Sequence, residues 1–486
     1  MASIIGRQED LQKISRFYQS AKAEFMAVYG RRRVGKTFLI QSHFSSISCV
    51  FFHVTGLKDG TLQDQIENFT RVIGKTLYQG APLKVENTWL NVFSQLTDAM
   101  ALVPKNEKIV LFFDELPWMA TKRSKLIQAL DHYWNRYWSI DPRVKLIVCG
   151  SSASWILEKL IHNKAGLYNR ITYQMALEPF TLKESKAFLA MKDIRLNHSH
   201  LLKLYMVMGG IPLYLDQIEK GRSADQNIES ICFSKSGLLF SEFKKLFASL
   251  FENHEICEAL IRIISENRYG ISQANLMKKS DKKTGGRLKK RLQELEDAGF
   301  IESFVPYLHK ERGIYYRIID EYSIFYLRWI EPILNSIKRK EKESGYWLSK
   351  QKSAAWDAWQ GYAFEAICYK HISQIRKGLK IGVGAEISTW RYAPKKGTED
   401  QGAQIDLLFD RDDDTITLCE IKCTSKPFIL DKASAKNLLN KVKVFQEHTR
   451  TSKQIFIALV SANGLQSTMY SDDLVSDVVT LEALFD

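Results

Sequence analysis

The sequence reads as an α/β protein in four successive parts. These are a three-layer domain around a parallel sheet (1–180), a helical stretch (181–250), a winged helix-turn-helix (251–335) and a second α/β domain (346–486). Three observations carry this reading. Over the first 180 residues short apolar runs alternate with helical segments, as expected of parallel strands covered on both faces. A glycine-bearing turn sits where the first of those strands feeds a helix. From His254 the order becomes helix, helix, helix and strand pair, and after residue 346 a Trp-rich helix precedes a new set of strands.

A chain of 486 residues exceeds one ordinary core, and about 150 residues per domain makes three or so domains the expectation. The 45% hydrophobic and 26% charged fractions exclude a fibrous or disordered chain. Lys and Arg number 69 against 55 Asp and Glu, and the resulting +14 favours a polyanionic partner, nucleic acid or an anionic membrane surface. No apolar run reaches the roughly 18 residues of a membrane span, and the start MASIIGRQEDLQKI lacks the pattern of a secretory signal. A cytoplasmic setting without a membrane partner is therefore expected. The seven cysteines are odd in number, scattered and without a C-x-x-C pair, which fits reduced thiols. Cys419 and Cys423, with no His or Cys beside them, read as packed strand residues and not as zinc ligands.

In the first part, EFMAVYG (24–30), CVFFHVT (49–55), IVLFFDE (109–115) and KLIVCGSS (145–152) read as buried strands, and TFLIQSHF opens a helix. Between the first strand and that helix, Gly30 to Thr37 fits G-x-x-x-x-G-K-[ST], the P-loop of NTPases. Gly30 and Gly35 let the loop wrap phosphates, which backbone N–H groups, those of Arg33 and Val34 included, and the helix N-terminus stabilise. Lys36 is expected on the β- and γ-phosphates and the Thr37 hydroxyl on Mg²⁺. Asp114, delivered to the carboxyl edge of the sheet, would hold that Mg²⁺ through water, and Glu115 would polarise the attacking water. Ser151, with Ser152 beside it, stands where a polar residue senses the γ-phosphate. ATP and Mg²⁺ are the cofactors this implies.

From Thr181 to about Leu250 the pattern is helical, broken by GGIP at 209–212. EICEALIRIISEN, SQANLMKKS and TGGRLKKRLQELEDAG then read as three helices, the last closed by Gly299. FIESFVPYL and GIYYRIID follow as strands around the turn HKER. In the third helix Leu288, Leu292 and Leu295 form the buried stripe. Lys282, Lys283, Arg287, Lys289, Lys290 and Arg291 are left outward. The third helix of a winged helix enters the major groove, so Arg287, Lys289, Lys290 and Arg291 are the candidate DNA contacts. A solvated face on a connecting domain is the alternative. KRKEKESG (338–345) reads as a linker or solvated helix end.

In the last part Trp356, Trp359, Ala363 and Ile367 share one helical stripe. QIDLLF (404–409) and ITLCEIKC (416–423) read as antiparallel strands joined by DRDDD. Alternation puts Glu420 and Lys422 on one face, with Asp406 on the neighbouring strand. Two carboxylates beside a lysine suit hydrolysis, Asp406 and Glu420 holding Mg²⁺ while Lys422 orients a water. A Glu–Lys ion pair at a strand end, with Asp406 capping a turn, is the rival account.

IIGRQEDL, GRRRVGKT, LFFDELPW, LIVCGSS and GGIPLYL, in that order, resemble the prokaryotic AAA-type ATPases related to the STAND signalling NTPases. The resemblance implies that Gly6-Arg7 opens the nucleotide-base side and that Gly210-Ile211-Pro212 lies in a helical lid, with Pro212 near nucleotide. It matches Arg170 to the family's arginine after sensor 1, serving either as an arginine finger or as a tie between lid and sheet. The spacing D-x(13)-E-x-K resembles the PD-(D/E)XK nuclease superfamily, with Ile405 standing where proline is common. That resemblance implies a restriction-endonuclease-like fold over 346–486. It adds Glu365 as the helix-borne acid on the metal, with Glu386 as a substitute. Together they imply an ATPase that controls a Mg²⁺-dependent nuclease-like domain acting on DNA, with homo-oligomerisation as a further expectation. An ATP-dependent oligomerisation or signalling switch, or a DNA-binding scaffold with an inactive nuclease-like domain, is the alternative.

Overall fold

The computed structural model describes residues 4–162, 169–280, 285–309, 313–338, 345–394 and 401–486. The chain divides into two compact units, Met1–Pro179 with Ser249–Glu252, and Phe180–Ala248 with Asn253–Asp486.

The first unit is built on five parallel strands: β1 (Glu24–Tyr29), β2 (Val50–Thr55), β3 (Ile109–Asp114), β4 (Val144–Gly150) and β5 (Tyr173–Ala176). They lie in the order β2-β3-β4-β1-β5. Every residue of β3 and β4 is buried, which is why both read as unbroken apolar runs. The helix Leu62–Leu77 starts on a capping box between Thr61 and Asp64 and turns Ile66, Phe69 and Ile73 inward. Phe69 meets Phe52, Phe93 and Phe113, and Phe113 in turn meets Trp138 edge-on. Phe113→Ala should therefore cost about 3–5 kcal/mol, read as an earlier urea transition of this unit. Because the sheet is parallel, the carboxyl ends of β1, β3 and β4 share one edge. That edge carries Gly30, Asp114 and Ser151 together.

In the second unit the helices His254–Ser265, Gln273–Lys279 and Gly285–Asp297 accompany a small antiparallel sheet. Its strands are β6 (Ile271–Ser272), β7 (Ile301–Phe304) and β8 (Tyr315–Ile318), in the order β6-β8-β7. Leu288, Leu292 and Leu295 form the expected buried stripe. Lys282 and Lys283, most of the HKER turn and residues 339–344 of the charged stretch lie outside the described residues.

A larger mixed sheet follows, of β9 (Glu386–Tyr392), β10 (Ala403–Asp410) and β11 (Thr415–Lys422). Two short parallel strands, β12 (Phe428–Ile429) and β14 (Leu465–Gln466), stand apart, and β13 (Gln454–Ser461) and β15 (Asp477–Thr480) complete the larger sheet. Its order is β15-β13-β11-β10-β9, antiparallel from β9 to β11 and parallel from β11 to β15. A parallel pair needs a crossover, and the helix Lys432–Thr449 supplies it between β11 and β13. The helix Ala354–Lys370 buries Trp356, Trp359, Ala363 and Ile367 as expected, its tryptophans packing with Phe325, Trp329 and Trp347. Cys419 is buried in β11, and the seven cysteines are free thiols. Among the described residues, no helix is long and apolar enough to cross a membrane.

Candidate functional site

At the carboxyl end of β1 the chain turns through Gly30 at φ 139° and Gly35 at φ 93° before the helix Lys36–Phe44 begins. A side chain at Gly30 would also fall on the backbone carbonyl of Leu177, so conformation and space both require glycine there. Lys36 is buried, and its ammonium donates to the carbonyls of Gly30 at 2.9 Å and Arg31 at 3.0 Å. The Arg7 guanidinium braces the same loop by donating to the Val34 carbonyl at 3.2 Å.

The Thr37 hydroxyl donates to Asp114 Oδ2 at 2.9 Å, joining the loop to the end of β3. Burial would raise the Asp114 pKa, but hydrogen bonds from His53, Thr37 and Cys149 outweigh it and hold the carboxyl below its ordinary value. A carboxyl held below its ordinary pKa and touching a threonine hydroxyl, beside a loop bounded by Gly30 and Gly35, suits Mg²⁺–ATP, so these residues fit that ligand. Glu115 takes φ 50°, a left-handed conformation that a side-chain-bearing residue adopts at a cost. Its carboxylate accepts from the Ser151 amide at 3.0 Å and from the Ser151 hydroxyl. Glu115 and Ser151 therefore hold each other.

The second cluster lies on the mixed sheet. Pairing of Leu407 with Cys419 brings Asp406 beside Glu420, and Asp406 Oδ2 accepts from the Ile421 amide at 3.2 Å. Gln404 Nε2 donates to the other Asp406 oxygen at 3.2 Å. Glu420 lies between two ammoniums, Lys422 at 2.7 Å and Lys441 of the crossover helix at 2.6 Å. Glu365, from the Trp-rich helix, accepts from Arg268 Nη2 at 2.5 Å. All three carboxylates are buried, at 7–8% exposure.

Burial lifts Glu365 to about 7, with Asp406 adding to the rise and Arg268 opposing it. Burial and then Glu420 also raise Asp406. Burial pushes Glu420 the same way, but Lys441 and Lys422 more than reverse it and hold its carboxyl low. Burial would lower Lys422, yet Glu420 keeps its ammonium above the ordinary value.

Glu365, Asp406 and Glu420, the expected metal-holding acids, lie near enough to shift one another's ionisation. Among the described residues no group of three or more His, Cys, Asp or Glu side chains is placed to hold a metal ion. In this structure Arg268 is paired with Glu365, and Lys422 and Lys441 with Glu420. Asp406 with Glu420 remains a workable pair, because Mg²⁺ is commonly bound through one or two carboxylates and keeps several waters. Glu386 does not join them; it is exposed, at the start of β9 opposite Asp410.

A pH dependence follows from Glu365. Its folded pKa is raised from 4.5 to about 7, so its contribution to stability is full below about 4.5 and is lost as pH rises through about 7. The melting temperature should therefore fall as pH rises from 6 to 8, and that fall should flatten in Glu365→Gln.

Residues 4–218 match the model of an ATPase domain family found predominantly in Archaea. The likeness over this region is to an archaeal-type P-loop ATPase domain. An uncharacterized protein of Methanocaldococcus jannaschii is 24% identical over 419 residues, 84% of this chain and 85% of its own length. The structure of a Walker-type ATPase of Pyrococcus abyssi is 18% identical, covering 67% of this chain and 96% of that one at a TM-score of 0.47. The ORC2 protein of Aeropyrum pernix, solved as ADPNP–ADP complexes, is 15% identical, covering 70% and 96% at a TM-score of 0.44.

The ATPase domain holds Arg170 exposed, in the turn before β5. Pro212 opens a short helix, Pro212–Leu215, in the second unit. The glycine before Ile211 has a packing cause there: a side chain at Gly210 would fall on the Phe180 backbone, whose amide donates to the Gly210 carbonyl at 2.7 Å. On the basic helix Arg287, Lys289 and Lys290 are exposed as expected. Arg291 is not: it is ion-paired with Glu294, and its side chain is only 17% exposed. The acid three residues further on, which helical spacing brings alongside, explains this.

Sequence reasoning missed three residues of the two sites. His53 Nε2 lies 3.8 Å from Asp114, and alternation along β2 was the available signal. Lys441 and Arg268 reach Glu420 and Glu365 from distant segments, and no local pattern announced either.

Proposed function

We propose that the ATPase domain is the switch, and the Asp406–Glu420–Lys422 cluster the output, of a DNA-directed protein that cuts phosphodiester bonds with Mg²⁺. One observation carries this reading: two buried carboxylates on adjacent strands, one of them held ionised by two ammoniums. Such a group has a use on a polyanion that a surface ion pair lacks.

In the ATPase domain, Lys36 would exchange its bonds to the loop carbonyls for phosphate oxygens, and Thr37 would turn its hydroxyl oxygen from Asp114 to the cation. Glu115, released by Ser151, would orient the attacking water. In the second unit Asp406 and Glu420 would hold the cation, and Lys422 would orient a water and offset charge building on the phosphorus oxygens. Bound Mg²⁺ supplies Lewis-acid neutralisation of phosphate at each site. The three helices and the β6-β8-β7 sheet, read as a winged helix, would grip the duplex through Arg287, Lys289 and Lys290. The nucleotide state would set whether the second unit can act, the domain order being the support for that coupling.

A second reading, an ATP-dependent switch or scaffold with an inactive nuclease-like domain, is favoured by the cations already seated on Glu365 and Glu420. Relaxation of supercoiled plasmid with Mg²⁺ separates the two: nicking that is lost in Glu420→Ala supports the nuclease, and an inert wild type supports the scaffold.

A further inference from the structure

The second unit contains a cleft of about 610 Å³ whose lining includes the three-helix region on one side and the mixed sheet with its Trp-rich helix on the other. Five cations line it, namely Arg268, Lys278, Lys279, Arg317 and Arg391, and Glu365 is the one acid among the described lining residues. The cations interleave with rings. The Arg268 guanidinium lies 5.6 Å from the ring centres of both Tyr269 and Tyr362, and Arg391 lies 5.1 Å from that of Tyr269. Arg317 lies 3.5 Å from the Tyr369 ring centre and 4.7 Å from that of Phe304. Tyr269 is 42% exposed.

We propose that this cleft binds single-stranded nucleic acid, with phosphates on its cationic rims and an unstacked base against Tyr269. Guanidinium groups that track a backbone, with aromatic faces between them, are how single strands are held without reading sequence. The volume is that of a small-ligand pocket. A duplex keeps its bases stacked inside, where Tyr269 cannot reach them. Arg268, Lys278, Lys279 and Arg317 come from the three-helix region and its small sheet and Arg391 from the mixed sheet; Arg268 and Arg391 both approach the Tyr269 ring, while Arg317 lies on Tyr369 and pairs with Glu302. Glu365 and Gln404 line the cleft, and Gln404 donates to Asp406, so a strand lying there passes the carboxylate cluster. The cleft thus delivers one strand of a melted or nicked substrate to that cluster. This placement rests on the nuclease reading, but the binding can be tested apart from it.

The test is fluorescence anisotropy on the full chain in EDTA. The probes are a labelled oligothymidylate, a duplex of equal length and free thymidine monophosphate as competitor. The wild type should bind the single strand, with the monophosphate competing only weakly, and neither Tyr269→Ala nor Arg391→Glu should change duplex binding. Tyr269→Ala should weaken single-strand binding about tenfold. Arg391→Glu should weaken it similarly and flatten its salt dependence, while an unchanged melting temperature shows that these exposed positions leave the fold intact. Single-strand binding unchanged in both variants, or duplex binding weakened by them as much as single-strand binding, overturns the proposal. Competition by the monophosphate as strong as by the strand overturns it too, in favour of a nucleotide pocket. Plasmid cleavage run in parallel separates the failures. Single-strand binding without any cleavage counts against the nuclease alone, and cleavage with binding unchanged in both variants counts against the cleft alone.

Discussion

Replacing Lys36 by alanine should lower ATP turnover by at least about 100-fold, the usual consequence of losing a charged donor aimed at charge that develops in the transition state. The ammonium is bonded inside the loop, to the Gly30 and Arg31 carbonyls, and it is buried. Its removal also leaves two carbonyls short of a donor, at about 1–3 kcal/mol for each that water cannot reach. A melting curve in the absence of nucleotide separates the two effects. A loss of turnover at an unchanged melting temperature assigns the effect to phosphate binding. Full nucleotide affinity and turnover in the variant would remove Lys36 from the site.

Glu420→Ala should lower Mg²⁺-dependent plasmid nicking by roughly 100- to 1000-fold, the equivalent of the few kcal/mol a bound metal contributes to stabilising a transition state. The substitution also strips the partner from Lys422 and Lys441, whose ammoniums lie 2.7 and 2.6 Å from the two Glu420 oxygens. Breaking a buried pair on one side costs about 3–5 kcal/mol, so some of the activity loss could come from unfolding. Glu420→Gln controls for this, since it keeps the shape and an oxygen for one lysine while giving up the charge. Nicking should be lost in both variants, and the melting temperature should fall further in the alanine. Nicking that survives both would mean that another group performs the chemistry.

The ATPase site was legible because its parts are local. The loop between β1 and its helix, and the acid ending β3, each depend on a few consecutive residues, and a parallel sheet brings them to one edge without further instruction. The Asp406, Glu420 and Lys422 arrangement was legible for a related reason: a short turn and strict alternation fix which side chains meet. What escaped depended on distant segments. Lys441 arrives on the crossover helix and Arg268 from the turn after the helix His254–Ser265, and together they make Glu420 and Glu365 ion-paired acids. Arg291 is a different case, because its partner Glu294 was within reach of helical spacing. Gly210 shows the limit of motif reading, since contact with the Phe180 backbone is sufficient to require a glycine there.

The most direct test of the account is plasmid nicking by the wild type in Mg²⁺ with ATP, with a non-hydrolysable analogue and with no nucleotide, beside Glu420→Ala and Lys36→Ala. The account predicts nicking whose rate depends on the nucleotide state, loss of that dependence in Lys36→Ala, and loss of nicking itself in Glu420→Ala. A wild type that leaves the plasmid intact under all three nucleotide conditions would contradict it.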